Sequence, residues 1–181
     1  KYRFIQTTPS LPGNIAYGRL IQRTLRFADQ EIQFLTRSGN DGQITKYGET
    51  LGKALDYYNK RFGPASNGNR LIVVQIDDDS LDFYSTRGMI FIGNRQFEEG
   101  REATLNRLQR EAAYQWWGLT VGLRSFDDAW ISQGLAEYSA FSYRETELED
   151  ARLEALRREL LERALTFEQT ASLLRAPANL D

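Results

Sequence analysis

The chain has 181 residues, with 23 Lys and Arg against 25 Asp and Glu and a formal net charge of −2. That length supports one domain with a real core and an appendage, and the balanced charge leaves no footprint for nucleic acid. His and Cys are both absent, which excludes disulfides, leaves the redox compartment unreadable, and limits any metal site to carboxylates and water, donors better suited to Mg²⁺ or Ca²⁺ than to Zn²⁺. No apolar run approaches the roughly eighteen residues of a membrane span, and no basic segment followed by an apolar one opens the numbered sequence.

In chain order, Pro9, Pro12 and Gly13 punctuate an extended entry in which Tyr2 and Phe4 alternate with polar neighbours, as in an edge strand. Between Ala16 and Thr36 the pattern is ambiguous: Ile21, Leu25, Ala28, Ile32 and Leu35 fit a helical stripe, and strands fit as well. Ser38–Gln43 has the composition of a turn. Ile44–Phe62 follows as an amphipathic helix carrying Leu51, Leu55, Tyr58 and Phe62, ended by Gly63 and Pro64. Leu71–Ile76 and Met89–Ile92 are apolar runs with the character of buried strands. Asp77, Asp78 and Asp79 between them lack the alternating spacing of a calcium loop and read as a solvated turn. Gly88 suggests a tight approach of backbones. A helix is predicted over Glu102–Gly118, and a second over Asp128–Tyr143, capped by Asp127 or Ser125. The last third, Glu145–Arg163, pairs Glu154 with Arg158 and Glu159 with Arg163 at i, i+4, above a leucine stripe.

The most informative stretch is R-E-A-A-Y-Q-W-W-G, starting at Arg110, followed by D-D-A-W-I-S-Q-G-L-A-E-Y, starting at Asp127. It resembles the catalytic domain of M1 family aminopeptidases, thermolysin-like zincins (gluzincins) whose pattern is H-E-x-x-H-Q-W-W-G, then D-D-x-W-L-N-E-G-F-A-E-Y. In H-E-x-x-H the two imidazoles stand at i and i+4 on one helical face, and the Glu between them is the general base. This sequence has Arg110, Glu111 and Tyr114 in those places, and Gln133 where the family's third ligand, a Glu, follows after eighteen intervening residues. The flanking residues agree while the ligands are replaced. The segment from Ala54 through Val74 is similar to the opening of the same domain, so the resemblance runs roughly from Glu31 to Arg144 and favours a strand over Glu31–Thr36. Near Ser85–Ile90 the family's G-x-M-E-N motif, which helps hold the substrate's amino terminus, has no acid in its Glu position. The family's downstream Tyr would fall beyond Asp181, which implies a chain short of a full peptidase.

The resemblance therefore implies an α+β, zincin-like metallopeptidase domain in which a small mixed sheet packs on helices. The expected layout is an extended entry of strands over 1–36, the zincin-like domain over 37–144 and a helical extension of the same domain over 145–181. The expected function is that of a pseudo-peptidase, a peptide-binding or scaffold module of a larger protein, without zinc and with no catalytic residue beyond a vestigial Glu111. Arg110, Tyr114 and Gln133 are the degenerate ligand positions, and Glu111, Glu137, Tyr138 and Trp117 are expected to line the old cleft. Arg110 is expected to take over part of the metal's charge by bonding Glu137 or Glu111, and Tyr114 and Gln133 to hydrogen-bond across the gap. Trp116, Trp117 and Trp130 read as packing residues. The rival reading is an active metallo-hydrolase or aminopeptidase built on Glu111 and Glu137. Peptide or protein partners and an extracytoplasmic or membrane-protein-attached setting complete the expectation.

Overall fold

The computed structural model describes residues 14–37, 41–78, 80–99 and 101–168. The expected edge strand around Tyr2 and Phe4 and the punctuation at Pro9, Pro12 and Gly13 lie outside them, as does Asp79. The chain divides into two compact units, Lys1–Ala140 and Phe141–Asp181.

The first unit is built on a five-stranded sheet in the order β1-β2-β3-β5-β4, from β1 (Ile21–Phe27), β2 (Gln30–Thr36), β3 (Arg70–Ile76), β4 (Phe83–Thr86) and β5 (Met89–Gly93). β2, β3 and β5 run parallel, while β1 and β4 are antiparallel edges. The ambiguous stretch after Ala16 is thus a strand pair, with Ile21 opposite Thr36 and Phe27 opposite Gln30. Its apolar spacing satisfies either period. What decides for strands is that Ile32 and Phe34 become fully buried once β2 pairs with β3.

Helix α1 (Asp41–Phe62) covers this sheet with Tyr47, Leu51, Ala54 and Tyr58, none of them exposed. It starts earlier than predicted, so Asp41–Gln43 forms its first turn rather than a loop, while Ser38–Asn40 falls outside the described residues. Two glycines inside it, Gly48 and Gly52, are explained by β1: a Cβ at either would collide with the side chains of Leu25 and Phe27. Gly63, at φ +79°, closes the helix by donating its amide to Asn59 O at 3.0 Å. Strand β4, F-Y-S-T, has no buried side chain and no apolar run to announce it. Between β3 and β4, Asp77 pairs with Arg37 at 2.5 Å, and Asp78 accepts the Ser80 amide and hydroxyl at 2.9 and 2.6 Å.

After the short α2 (Asn94–Glu99), α3 (Glu102–Ala113) packs on α1 and β4, and a 3-10 turn (Phe126–Asp128) leads into α4 (Ala129–Glu147). The second unit holds the end of α4 and the helix α5 (Asp150–Glu168). There Glu154 pairs with Arg157 rather than Arg158, because Arg157 bridges Glu154 and Glu145 at 2.8 Å each. Glu159 and Arg163 form no ion pair with each other among the described residues, both standing in solvent where such a contact gains little. No helix among the described residues is long and apolar enough to cross a membrane.

Candidate functional site

Helix α3 presents Leu108, Glu111 and Ala112 inward and stops at Ala113, five residues short of the predicted end. Tyr114 keeps nearly helical angles, φ −61° and ψ −20°, and donates its amide to Arg110 O at 3.2 Å, so the i, i+4 relation of Arg110 and Tyr114 survives. Beyond it the chain tightens: the Gln115 and Trp116 amides reach back only three residues, to Ala112 O and Ala113 O at 3.1 and 3.0 Å. Gly118, at φ +98°, completes the turn, and a Cβ there would sit 2.6 Å from Ser132 Oγ. Ser132 itself donates to Trp117 O at 2.7 Å, tying the turn to α4. Ser125, one of the two expected caps, donates its amide and hydroxyl to Asp128 Oδ2, at 3.1 and 3.2 Å, across the 3-10 turn that leads into α4.

Two ion pairs occupy the motif. Arg110, with a side chain only 25% exposed, donates from Nη1 to Glu137 Oε2 at 3.1 Å, while its buried Nε has no hydrogen-bond partner among the described residues. Glu111 is sealed, with 2% of its surface exposed. Its Oε1 accepts from Arg107 Nε and its Oε2 from Ser85 Oγ, each at 2.6 Å. Burial pushes the Glu111 carboxyl above its ordinary pKa, against the pull of the Ser85 hydrogen bond and the Arg110 charge. Burial likewise pushes the Tyr114 phenol up, with Arg110 opposing it.

Gln133, Tyr138 and Trp117 take no part in these contacts. Gln133 is exposed and makes no hydrogen bond to Tyr114, because Ser132, Ala136, Ser139 and Ala140 form the inner face of α4 and Gln133 stands off that face. Tyr138 is also exposed. Trp117 donates from its indole to Ser139 Oγ at 2.8 Å and packs edge-on to Phe62, with ring centroids 5.1 Å apart. It lines a groove of about 210 Å³ with Val121, Leu123, Ile131 and Leu135, in which Glu111, Glu137 and Tyr138 take no part. Of the four residues expected to line one cleft, this groove thus holds Trp117 alone. Trp116 is a core residue, 3% exposed and bonded to Gly63 O at 2.8 Å, whereas Trp130 is more than half exposed and does not pack as expected.

Sequence reasoning missed three contributors. Arg107 stands one turn before Glu111 and was legible as an i, i+4 pair. Gln115 belongs to the matched motif; its carboxamide accepts from Gly88 N at 2.8 Å and donates to Thr86 O at 3.1 Å, clasping the β4–β5 turn. Ser85 lies in a strand without any sequence signal.

This mixed sheet with its helices is an α+β fold. Among solved structures it is similar to Legionella pneumophila aminopeptidase A, solved in complex with aspartic acid, with a TM-score of 0.63 and 17% sequence identity. The match covers 71% of this chain and 17% of the aminopeptidase chain, and at that identity it is a likeness of fold. No protein-family model matches the sequence, and no curated protein matches it.

Proposed function

We propose that the chain is a zincin-like domain of M1 aminopeptidase type whose zinc site has been replaced by an ion pair, and that it serves as a non-catalytic peptide-binding or scaffold module. The observation that carries this reading is the Arg110–Glu137 pair at 3.1 Å. A permanent cation in the place of the first ligand repels Zn²⁺ and neutralises the nearest acid. The remaining ligand positions offer a phenol held protonated by burial and an exposed carboxamide, neither of which suits Zn²⁺. Glu111, the family's base, is 2% exposed and its two oxygens already accept from Arg107 and Ser85, which disfavours its use on a water molecule. The same contacts weigh against a hydrolase built on Glu111 and Glu137.

Elemental mass spectrometry of the purified protein, with an aminopeptidase assay run with and without added Zn²⁺, tests the proposal. The expected result is less than about a tenth of a zinc per chain and no turnover. Stoichiometric zinc with activity overturns it. Gln133 stands one turn before Glu137, the residue that Arg110 reaches, so the triple substitution Arg110→His, Tyr114→His and Gln133→Glu is expected to restore zinc binding. A folded triple variant that binds none would refute the assignment of these three positions to the old ligand sites.

A further inference from the structure

The sequence holds one Asn-Gly pair, Asn67–Gly68, in the turn that leads from α1 to β3. Such a pair brings its own chemistry. The Gly68 amide nitrogen, once its proton has passed to solvent base, can attack Asn67 Cγ; a C–N bond forms, the bond to Nδ2 breaks and ammonia leaves, closing a five-membered succinimide. Water then opens either carbonyl of the ring, leaving Asp or an isoaspartyl linkage, and is the only co-reactant. Gly in the second position favours the attack, because it has no Cβ to shield the nitrogen and bends freely.

The fold holds both reacting groups away from that step. Gly68 N donates to Ala65 O at 3.0 Å, and Asn67 Nδ2 donates to Arg70 O at 2.8 Å. The turn is also pinned on either side of the pair: Ser66 N donates to Thr120 Oγ1 at 2.8 Å, and Asn69 O accepts from Glu31 N at 2.7 Å. Gly88 of the β4–β5 hairpin lies against Asn67, since a Cβ on Gly88 would stand 3.3 Å from the Asn67 Cβ. Asn67 Oδ1 is buried with no hydrogen-bond partner among the described residues, so the carbonyl side of the carboxamide is enclosed as well.

We propose that Asn67 is a spontaneous deamidation site whose rate is set by opening of the turn over residues 65–70, and that its product keeps the turn from closing again. The attack needs a free Gly68 nitrogen and a rotated Asn67 side chain, so both hydrogen bonds break before the ring forms. Conversion to Asp replaces the Nδ2 donor with an acceptor, which leaves Arg70 O unpaired beside a carboxylate. The isoaspartyl product instead adds a methylene to the backbone of a turn held at Ser66 and Asn69. Either product fits the native turn poorly, and Gly88 loses the neighbour it packs against. The ammonia is lost to solvent, so the change runs one way. It holds whatever the domain binds.

Peptide mass spectrometry of the full chain, incubated at mildly alkaline pH in its native state and unfolded in urea, tests the proposal. Asn67 is expected to convert at least about tenfold more slowly in the native chain than in the unfolded one. Thr120→Ala, which removes the acceptor of Ser66 N, is expected to speed the native reaction and leave the unfolded one unchanged. Gly68→Ala is expected to slow the unfolded reaction, as attack by that nitrogen requires. Should Thr120→Ala fail to fold, urea below the global transition serves in its place and is expected to raise the native rate. Asn67→Asp, standing for the product, is expected to lower the denaturation midpoint and speed hydrogen exchange at the Gly88 amide. Equal native and unfolded rates overturn the gating, and so does a native rate indifferent to both Thr120→Ala and sub-denaturing urea. An Asn67→Asp chain as stable as the wild type overturns the effect assigned to the product.

Discussion

Glu111 is a carboxylate that the fold encloses and supplies with partners. With 2% of its surface exposed, it is too costly to leave uncompensated, and Arg107 and Ser85 supply the compensation at 2.6 Å each. Burial still holds its pKa above 4.5, so the folded protein binds this proton more readily than the unfolded chain. The stability this contributes is fully present below pH 4.5 and is lost as pH rises through the raised pKa. Glu111→Gln keeps an acceptor for Arg107 and a partner for Ser85 without ionising. Denaturation midpoints measured across this window should therefore slope less steeply in the variant than in the wild type, and identical slopes would remove Glu111 as the titrating group. Glu111→Ala strands both partners and is expected to cost about 1–3 kcal/mol at neutral pH.

At the level of elements, the β4–β5 hairpin is the piece most dependent on a distant contact. Its turn places Gly88 at φ +72°, and the buried Gln115 carboxamide satisfies both Gly88 N and Thr86 O. Gln115→Ala is expected to destabilise by about 1–3 kcal/mol, because it leaves a donor and an acceptor unpaired. The Gly88 amide should then exchange hydrogen faster while amides of β3 keep their protection; unchanged exchange at Gly88 would count against the clasp. The same hairpin separates what the sequence discloses from what it hides. α1, β3 and β5 announce themselves through long apolar stripes or runs, since burial alone specifies them. β4 has four residues and no buried side chain, so it is fixed by pairing with β5 and by contacts with α3 rather than by an apolar face of its own. Arg110 and Glu137 could be joined from sequence because one motif frames both. Ser85 could not, because it reaches Glu111 from 26 residues away through the fold.

The two units of the molecule differ in how their residues are buried. The first contains the sheet, α1 and α3, with Phe34, Leu51, Val73 and Ile92 fully covered. In the second, every described side chain of α5 is exposed or half-exposed, Leu161 and Leu165 among the exposed. Opening free energy follows burial, so cooperative segments with few covered apolar groups open well below the global transition. Helices in proteins take most of their stability from packing an apolar face, and no described side chain of α5 is fully buried. The surface ion pairs of Arg157 add little to this and are screened by salt. Native-state hydrogen exchange is therefore expected to find α5 amides exchanging at least about a hundredfold faster than those of β3. Raising ionic strength should widen the gap by weakening the Arg157 pairs. Equal protection across α5 and β3 would instead mean that one cooperative transition governs both units, and that α5 draws its stability from contacts beyond its own exposed surface.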